Sequence, residues 1–167
     1  MQTLVLPDIH LDVHWAEDMI LKHNPERIIL LGDYYDPSPR QRGKGQHTAY
    51  RGQSAMVTVW LADLIREYGD RVIVLIGNHD APCLFPHLTR GDSYRYGKLP
   101  MFDVGNFTIQ ALREIEALKE DIALIRSVAQ WYYFDEESNT LFSHAGIHPA
   151  VFGKGNNEFT ITNLDRV

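Results

Sequence analysis

Cysteine is nearly missing from this chain: Cys83 is the only one among 167 residues. No disulfide can form within it, which excludes a small scaffold held by cross-links. Long apolar runs are missing too. None approaches the about 20 residues that a membrane-spanning helix needs. The opening "MQTLVLPDIH" has neither the basic start nor the extended apolar stretch of a secretory signal. Positive charge is not in excess either. Lys and Arg total 16 against 22 Asp and Glu, a formal net charge of −6, so nothing suggests the basic face that broad nucleic-acid binding requires. No apolar run is followed by G-x-G-x-x-G, which removes the usual dinucleotide-binding signature. The expectation is a soluble, cytoplasmic domain.

With 44% apolar and 23% charged residues, the composition is that of an ordinary globular protein, long enough for one domain with its own core. Three short apolar runs share a design. "TLVLP" at 3–7 leads into Asp8, "RIILL" at 27–31 into Gly32-Asp33, and "RVIVLI" at 71–76 into Gly77-Asn78. Rich in Val, Ile and Leu with little alternation, each reads as a strand buried on both faces. Between them, residues 13–23 and 53–68 carry apolar side chains at helical spacing. This β-α-β-α-β order predicts a parallel sheet with crossover helices. Ligands of such sheets gather beyond the carboxyl ends of the strands, which is where the polar motifs of this chain fall. Further on, "FTIQALREIEALKEDIALIRS" at 107–127 predicts one helix. "QWYYFD" at 130–135 and "TLFSH" at 140–144, joined by "EESN", predict a hairpin.

Asp8-Ile9-His10 leaves the first strand. A carboxylate and an imidazole on alternate residues can turn toward one ion, although Asp-x-His equally describes a capping Asp beside a surface histidine. After the second strand, Gly32 permits a sharp turn, Asp33 follows it, and Asp36 opens a turn before Pro37. After the third come Gly77, Asn78, His79 and Asp80, the Asn carbonyl being a hard oxygen donor suited to a divalent cation. Asp and Gly are common turn residues, so one such cluster is a turn. Three at successive strand ends are hard to assign to turns.

Together, Asp8-x-His10, Gly32-Asp33-x-x-Asp36 and Gly77-Asn78-His79-Asp80 resemble the signature of the calcineurin-like metallophosphoesterase superfamily. "SHAGIHP" at 143–149 resembles a later block of its serine/threonine phosphatase and diadenosine-tetraphosphatase branch. The resemblance implies an α/β fold, a four-layer α-β-β-α sandwich, over a single domain at 1–167. It implies two divalent metal ions, for which manganese, iron, zinc and nickel all suit the ligands. Asp8 and His10 would bind the first, Asn78 and His144 the second, and Asp33 would bridge both. His79 would be the general acid, with Asp36 orienting its ring. The implied activity is hydrolysis of a phosphate ester by a metal-bridging hydroxide. The substrate would be a small molecule, a nucleotide or a phosphoprotein.

Two positions depart from that pattern. The phosphatase branch usually places Arg directly after its GDxxD block, where this chain has Pro37. Arg40, Arg42 and Arg51, Arg95 in "GDSYRYGKLP", and His148 are therefore the candidates for substrate binding. The stretch 37–53 holds no acidic residue and reads either as a solvated loop or as a cationic flap over an anionic substrate. The superfamily also supplies one or two histidines from a downstream strand, and none follows His148. Three accounts stay open: a chain cut short of its C-terminal strands, a site where water or His148 fills the gap, or a centre that no longer holds both metals.

The competing function is a scaffold without catalysis on the same fold, against which the presence of both His79 and Asp36 weighs. One of Tyr34 and Tyr35 is expected in the core and the other at the substrate pocket. Cys83 is expected to be a small packed residue, and His14, His23, His47 and His87 to have no site role.

Overall fold

A computed structural model of the protein describes residues 1–37, 52–85, 111 and 113–145. Strands β1 (Thr3–Leu6), β2 (Arg27–Leu30) and β3 (Val72–Val74) form a parallel sheet in the order β1-β2-β3. Val5 stands opposite Ile29, and Ile29 opposite Ile73. Helix α1 (Val13–His23) joins the first two strands; α2 (Gln53–Tyr68) and a 3-10 turn at Gly69–Arg71 precede the third. The alternating order read from the sequence is thus the order found.

The central strand behaves as expected. Ile28, Ile29 and Leu30 are fully buried, as a parallel strand covered on both faces requires. β1 does not. Val5 is 37% exposed, β1 being an edge strand among the described residues. Burial of both faces is a property of sheet position that an isolated apolar run does not carry.

Helix α1 starts where Asp12 accepts the Trp15 N–H on its carboxylate at 3.1 Å. It ends at Asn24, which adopts a left-handed conformation. Val13, Ala16 and Ile20 form its buried stripe. Helix α2 has no side-chain cap of its own at Gly52. Glu114 supplies one from far along the chain, accepting the Gly52 N–H at 2.7 Å and the Ser54 N–H at 3.1 Å. Its residues Val57, Leu61 and Ile65 join Leu6, Ile28 and Leu30 in the core, where each fully buried aliphatic side chain contributes about 1.5–3 kcal/mol.

A short helix α3 (Ala81–Leu84) follows the third strand-end loop. The single helix expected at 107–127 is broken within its described part. Helical residues reach Ile115, a turn follows at 116–117, and α4 (Lys119–Val128) begins afresh. Each piece meets a different part of α2: Glu114 caps its start, while Asp121 pairs with Arg66 near its end at 2.6 Å. Glu120 and Asp121 in the first turn of α4 favour a helix beginning there. The buried positions Ala111, Ile115, Ile122 and Ile125 keep helical spacing across the break, so periodicity gave no sign of it.

The expected hairpin is β4 (Tyr132–Asp135) with β5 (Thr140–Ser143), antiparallel, Tyr133 stacked on Phe142 at 6.2 Å. Gln130 fastens it to the parallel sheet. Its N–H donates to the Val74 carbonyl at 3.0 Å, and its own carbonyl accepts the Ile76 N–H at 2.9 Å. This attachment brings His144, the residue after β5, beside the end of β2. No helix among the described residues is long and apolar enough to cross a membrane.

Candidate metal centre

The loops leaving β1, β2 and β3 are stitched together at one end of the sheet. The His10 N–H donates to the Asp33 carbonyl at 2.8 Å, and the Leu11 N–H to the Tyr34 carbonyl at 2.9 Å. Five residues of these loops other than glycine adopt left-handed φ: Asp8 (38°), His10 (45°), Leu11 (69°), Asp33 (55°) and Asp36 (64°). Each such residue costs on the order of 1–3 kcal/mol and persists only where its surroundings impose it. Four of them are residues singled out from the sequence; the fifth, Leu11, is a buried core residue.

Glycine allows the β2 and β3 loops to touch. Gly32 sits at φ 103°, and a Cβ there would lie 2.5 Å from the Gly77 nitrogen and 3.1 Å from His144 Nδ1. A Cβ on Gly77 would overlap both the backbone nitrogen and Oδ1 of Asp33.

Two histidines are held in the same manner. His10 Nδ1 donates to the Asp36 backbone carbonyl at 2.9 Å, and His144 Nδ1 donates to the Leu31 carbonyl at 2.9 Å. A carbonyl only accepts, so Nδ1 carries a proton in each ring, and in the neutral form Nε2 is a bare acceptor. Both Nε2 atoms face one oxygen, Asp33 Oδ2, from 3.8 Å for His10 and 3.4 Å for His144. His144 Nε2 also lies 3.1 Å from Asn78 Oδ1. In that form acceptors converge on acceptors, an arrangement that a cation relieves. Two donors each about 2.1 Å from a common ion stand about 3.0–3.4 Å apart at ordinary coordination angles. The spacings around His144 Nε2 fit that requirement. Donor atoms of Asp8, Asp33 and His144 lie within 4.8 Å of one another. This group takes Asp8 from the first expected ligand set and His144 from the second.

Asp33 divides its two oxygens. Oδ2 faces the two imidazoles, while Oδ1 accepts the His79 backbone N–H at 3.0 Å. The backbone of the β3 loop thus engages one of the two oxygens of the expected bridging residue.

His79 and Asp36 are also brought together. His79 Nδ1 lies 3.0 Å from Asp36 Oδ2, with Asp36 buried and His79 partly open. The rings of His79 and His10 meet edge to face at 5.4 Å. Asp8 and Asn78 are exposed, whereas His10 and Asp33 are buried, so the cluster has a buried floor and an open rim.

Asp80 is the residue that sequence reasoning passed over. It is fully buried and takes backbone N–H groups from Asp33, Tyr34 and Gly77, each at 2.7 Å. Burial, then the nearby Asp33 charge, pushes its carboxyl up to about 7, against those hydrogen bonds, which favour the anion. The Asp ending of "GNHD" was the available signal, but burial and inward-facing amides leave no pattern in sequence.

The two tyrosines need a correction. Both are fully buried, so neither lines a pocket. Tyr34 donates its hydroxyl hydrogen to the Leu75 carbonyl at 2.7 Å, and the Tyr35 hydroxyl meets Thr58 Oγ1 at 3.0 Å. Burial raises both phenols well above their ordinary range. Cys83 is buried as expected and its thiol is likewise pushed up by burial. His14 is open to solvent and His23 half-buried, both on α1. Arg40, Arg42, Arg51, Arg95 and His148, together with His47 and His87, lie outside the described residues.

An α/β chain with a cluster of metal-type donors at the carboxyl ends of parallel strands is the class that the fold and site define. The chain belongs to the calcineurin-like phosphoesterase family, whose model matches residues 1–166. That membership implies metal-dependent hydrolysis of phosphoesters. No curated protein and no solved structure matches the chain.

Proposed function

We propose that this protein hydrolyses phosphate esters at a dinuclear divalent-metal centre, with His79 as the general acid. The observation that carries the reading is the approach of His10 Nε2 and His144 Nε2 to one Asp33 oxygen, each with Nδ1 tied to a carbonyl. Asp8 and His10 would hold one ion, Asn78 and His144 the other. Asp33, which both imidazoles face, would be shared between the two ions. When bound, the ions supply Lewis acidity that activates water and neutralises the phosphoryl oxygens.

The chain's own residues do the rest. Asp36 accepts the Nδ1–H of His79, and its negative charge favours the imidazolium form, whose Nε2–H would be the proton passed to the departing alkoxide. The Asp36 and Leu31 carbonyls keep the lone pairs of His10 and His144 turned inward. A four-layer α-β-β-α arrangement is proposed for the whole domain on the family's pattern. The substrate is proposed to be a small phosphate ester, a nucleotide or a phosphoprotein.

The experiment measures metal content of the full chain beside hydrolysis of p-nitrophenyl phosphate and of its bis ester. Two equivalents of manganese, iron, zinc or nickel together with turnover are expected. A folded chain with neither metal nor turnover would instead favour a scaffold.

A further inference from the structure

We infer that Asp80 is a positioning residue for the metal centre, its carboxylate clamping the β2 and β3 loops so that Asp33 and Asn78 hold their separation. Its Oδ2 accepts the Asp33 N–H and the Gly77 N–H, both at 2.7 Å, one from each loop. Its Oδ1 accepts the Tyr34 N–H at 2.7 Å and the Tyr35 N–H at 3.4 Å. The successive amides of Asp33, Tyr34 and Tyr35 point inward because the chain turns through a left-handed residue at Asp33. Successive amides of this kind form a concave anion-binding nest. Here the protein's own buried carboxylate fills it.

The clamp acts on Asp33 through its backbone. Asp33 holds a strained φ of 55°, which needs an outside restraint, and its N–H is the first atom that Asp80 grips. The same Asp80 oxygen draws in Gly77, where space for even a Cβ is lacking against Asp33. Asn78 follows Gly77 directly, so its carbonyl is placed by the same contact. Asp80 itself is too deeply buried to meet a substrate. This inference rests on the proposed metal-dependent reading.

The test uses Mn2+ alone as the probe, titrated into the full chain and into Asp80→Asn and Asp80→Ser. Leu61→Ala, a core truncation in α2, is the comparison for lost stability without altered loops. Amide hydrogen exchange of the metal-free proteins is followed in parallel. Wild type and Leu61→Ala are expected to bind Mn2+ alike. Each Asp80 variant is expected to bind at least about tenfold more weakly, the usual scale for residues that support ligands, and to exchange faster at Asp33, Tyr34 and Gly77. A folded Asp80 variant with wild-type Mn2+ affinity overturns the inference. So does an equal loss in Leu61→Ala, because affinity would then follow stability alone. If the wild type binds no Mn2+, which excludes manganese from the proposed set, exchange at the three amides decides the clamp, and unchanged rates in the variants overturn it. If neither variant folds, wild-type amides exchanging as fast as exposed loop amides overturn it as well.

Discussion

His79 and Asp36, 43 residues apart in sequence, meet with Nδ1 of the imidazole 3.0 Å from Oδ2 of the carboxylate. The backbone carbonyl of the same Asp36 holds His10 at 2.9 Å. One residue orients two imidazoles, by side chain for the proposed acid and by main chain for the proposed ligand. These roles separate on mutation. Asp36→Asn keeps the carbonyl and loses the charge, so turnover is expected to fall about 100-fold or more while bound Mn2+ is retained. Metal analysis beside single-turnover rates checks this. Loss of Mn2+ in step with activity would move Asp36 into the ligand set.

For His79→Asn the prediction depends on the leaving group. An alkoxide needs a proton to depart, whereas nitrophenolate does not. Activity on an alkyl phosphate is therefore expected to drop at least about 100-fold, and activity on p-nitrophenyl phosphate by much less. Steady-state rates on the two esters decide it, and equal losses would remove His79 from the role of acid.

Gly77→Ala places a methyl group where the nitrogen and Oδ1 of Asp33 already stand. The nitrogen is backbone and cannot swing aside, so the β2 and β3 loops must part. Overpacking of this kind costs about 1–3 kcal/mol. The expected result is a lower denaturation midpoint together with weaker Mn2+ binding, since the displaced group is Asp33 itself. A fall in stability with Mn2+ affinity untouched would show that the loops yield elsewhere.

How much of this was legible in the sequence follows from how local each cause is. The bounds of α1 and α2 were readable because apolar spacing runs along the whole of each helix and its end is set nearby, at Asp12 and Asn24 for α1. The candidates of the first three blocks could be picked out because each follows a strand ending at one edge of the parallel sheet, whereas His144 follows β5 of the separate hairpin. What escaped depends on contacts between distant segments. The break after Ile115 lies inside an unbroken apolar pattern, and Glu114 finds its partners at Gly52 and Ser54. The burial of both tyrosines depends on carbonyl and hydroxyl partners at Leu75 and Thr58. Asp80 looks like the end of a turn until the amides it gathers are seen together.

The pair Arg27–Asp135 ties the start of β2 to the end of β4 at 3.0 Å, and it makes stability depend on pH in a definite direction. The Ser138 hydroxyl, donating at 2.6 Å, and then Arg27 hold the Asp135 carboxyl below its ordinary value. A carboxyl held low in the folded chain binds fewer protons there than in the unfolded chain. Its contribution is therefore present above the ordinary carboxylate pKa and is lost as pH falls through the lower, folded value. Asp135→Asn removes that titration. Near neutral pH the variant is expected to be less stable than the wild type, and the gap is expected to close in strong acid. Thermal midpoints of both proteins across that range provide the measurement, with other carboxylates cancelling in the difference. Parallel curves at every pH would mean that the contact contributes nothing through its charge.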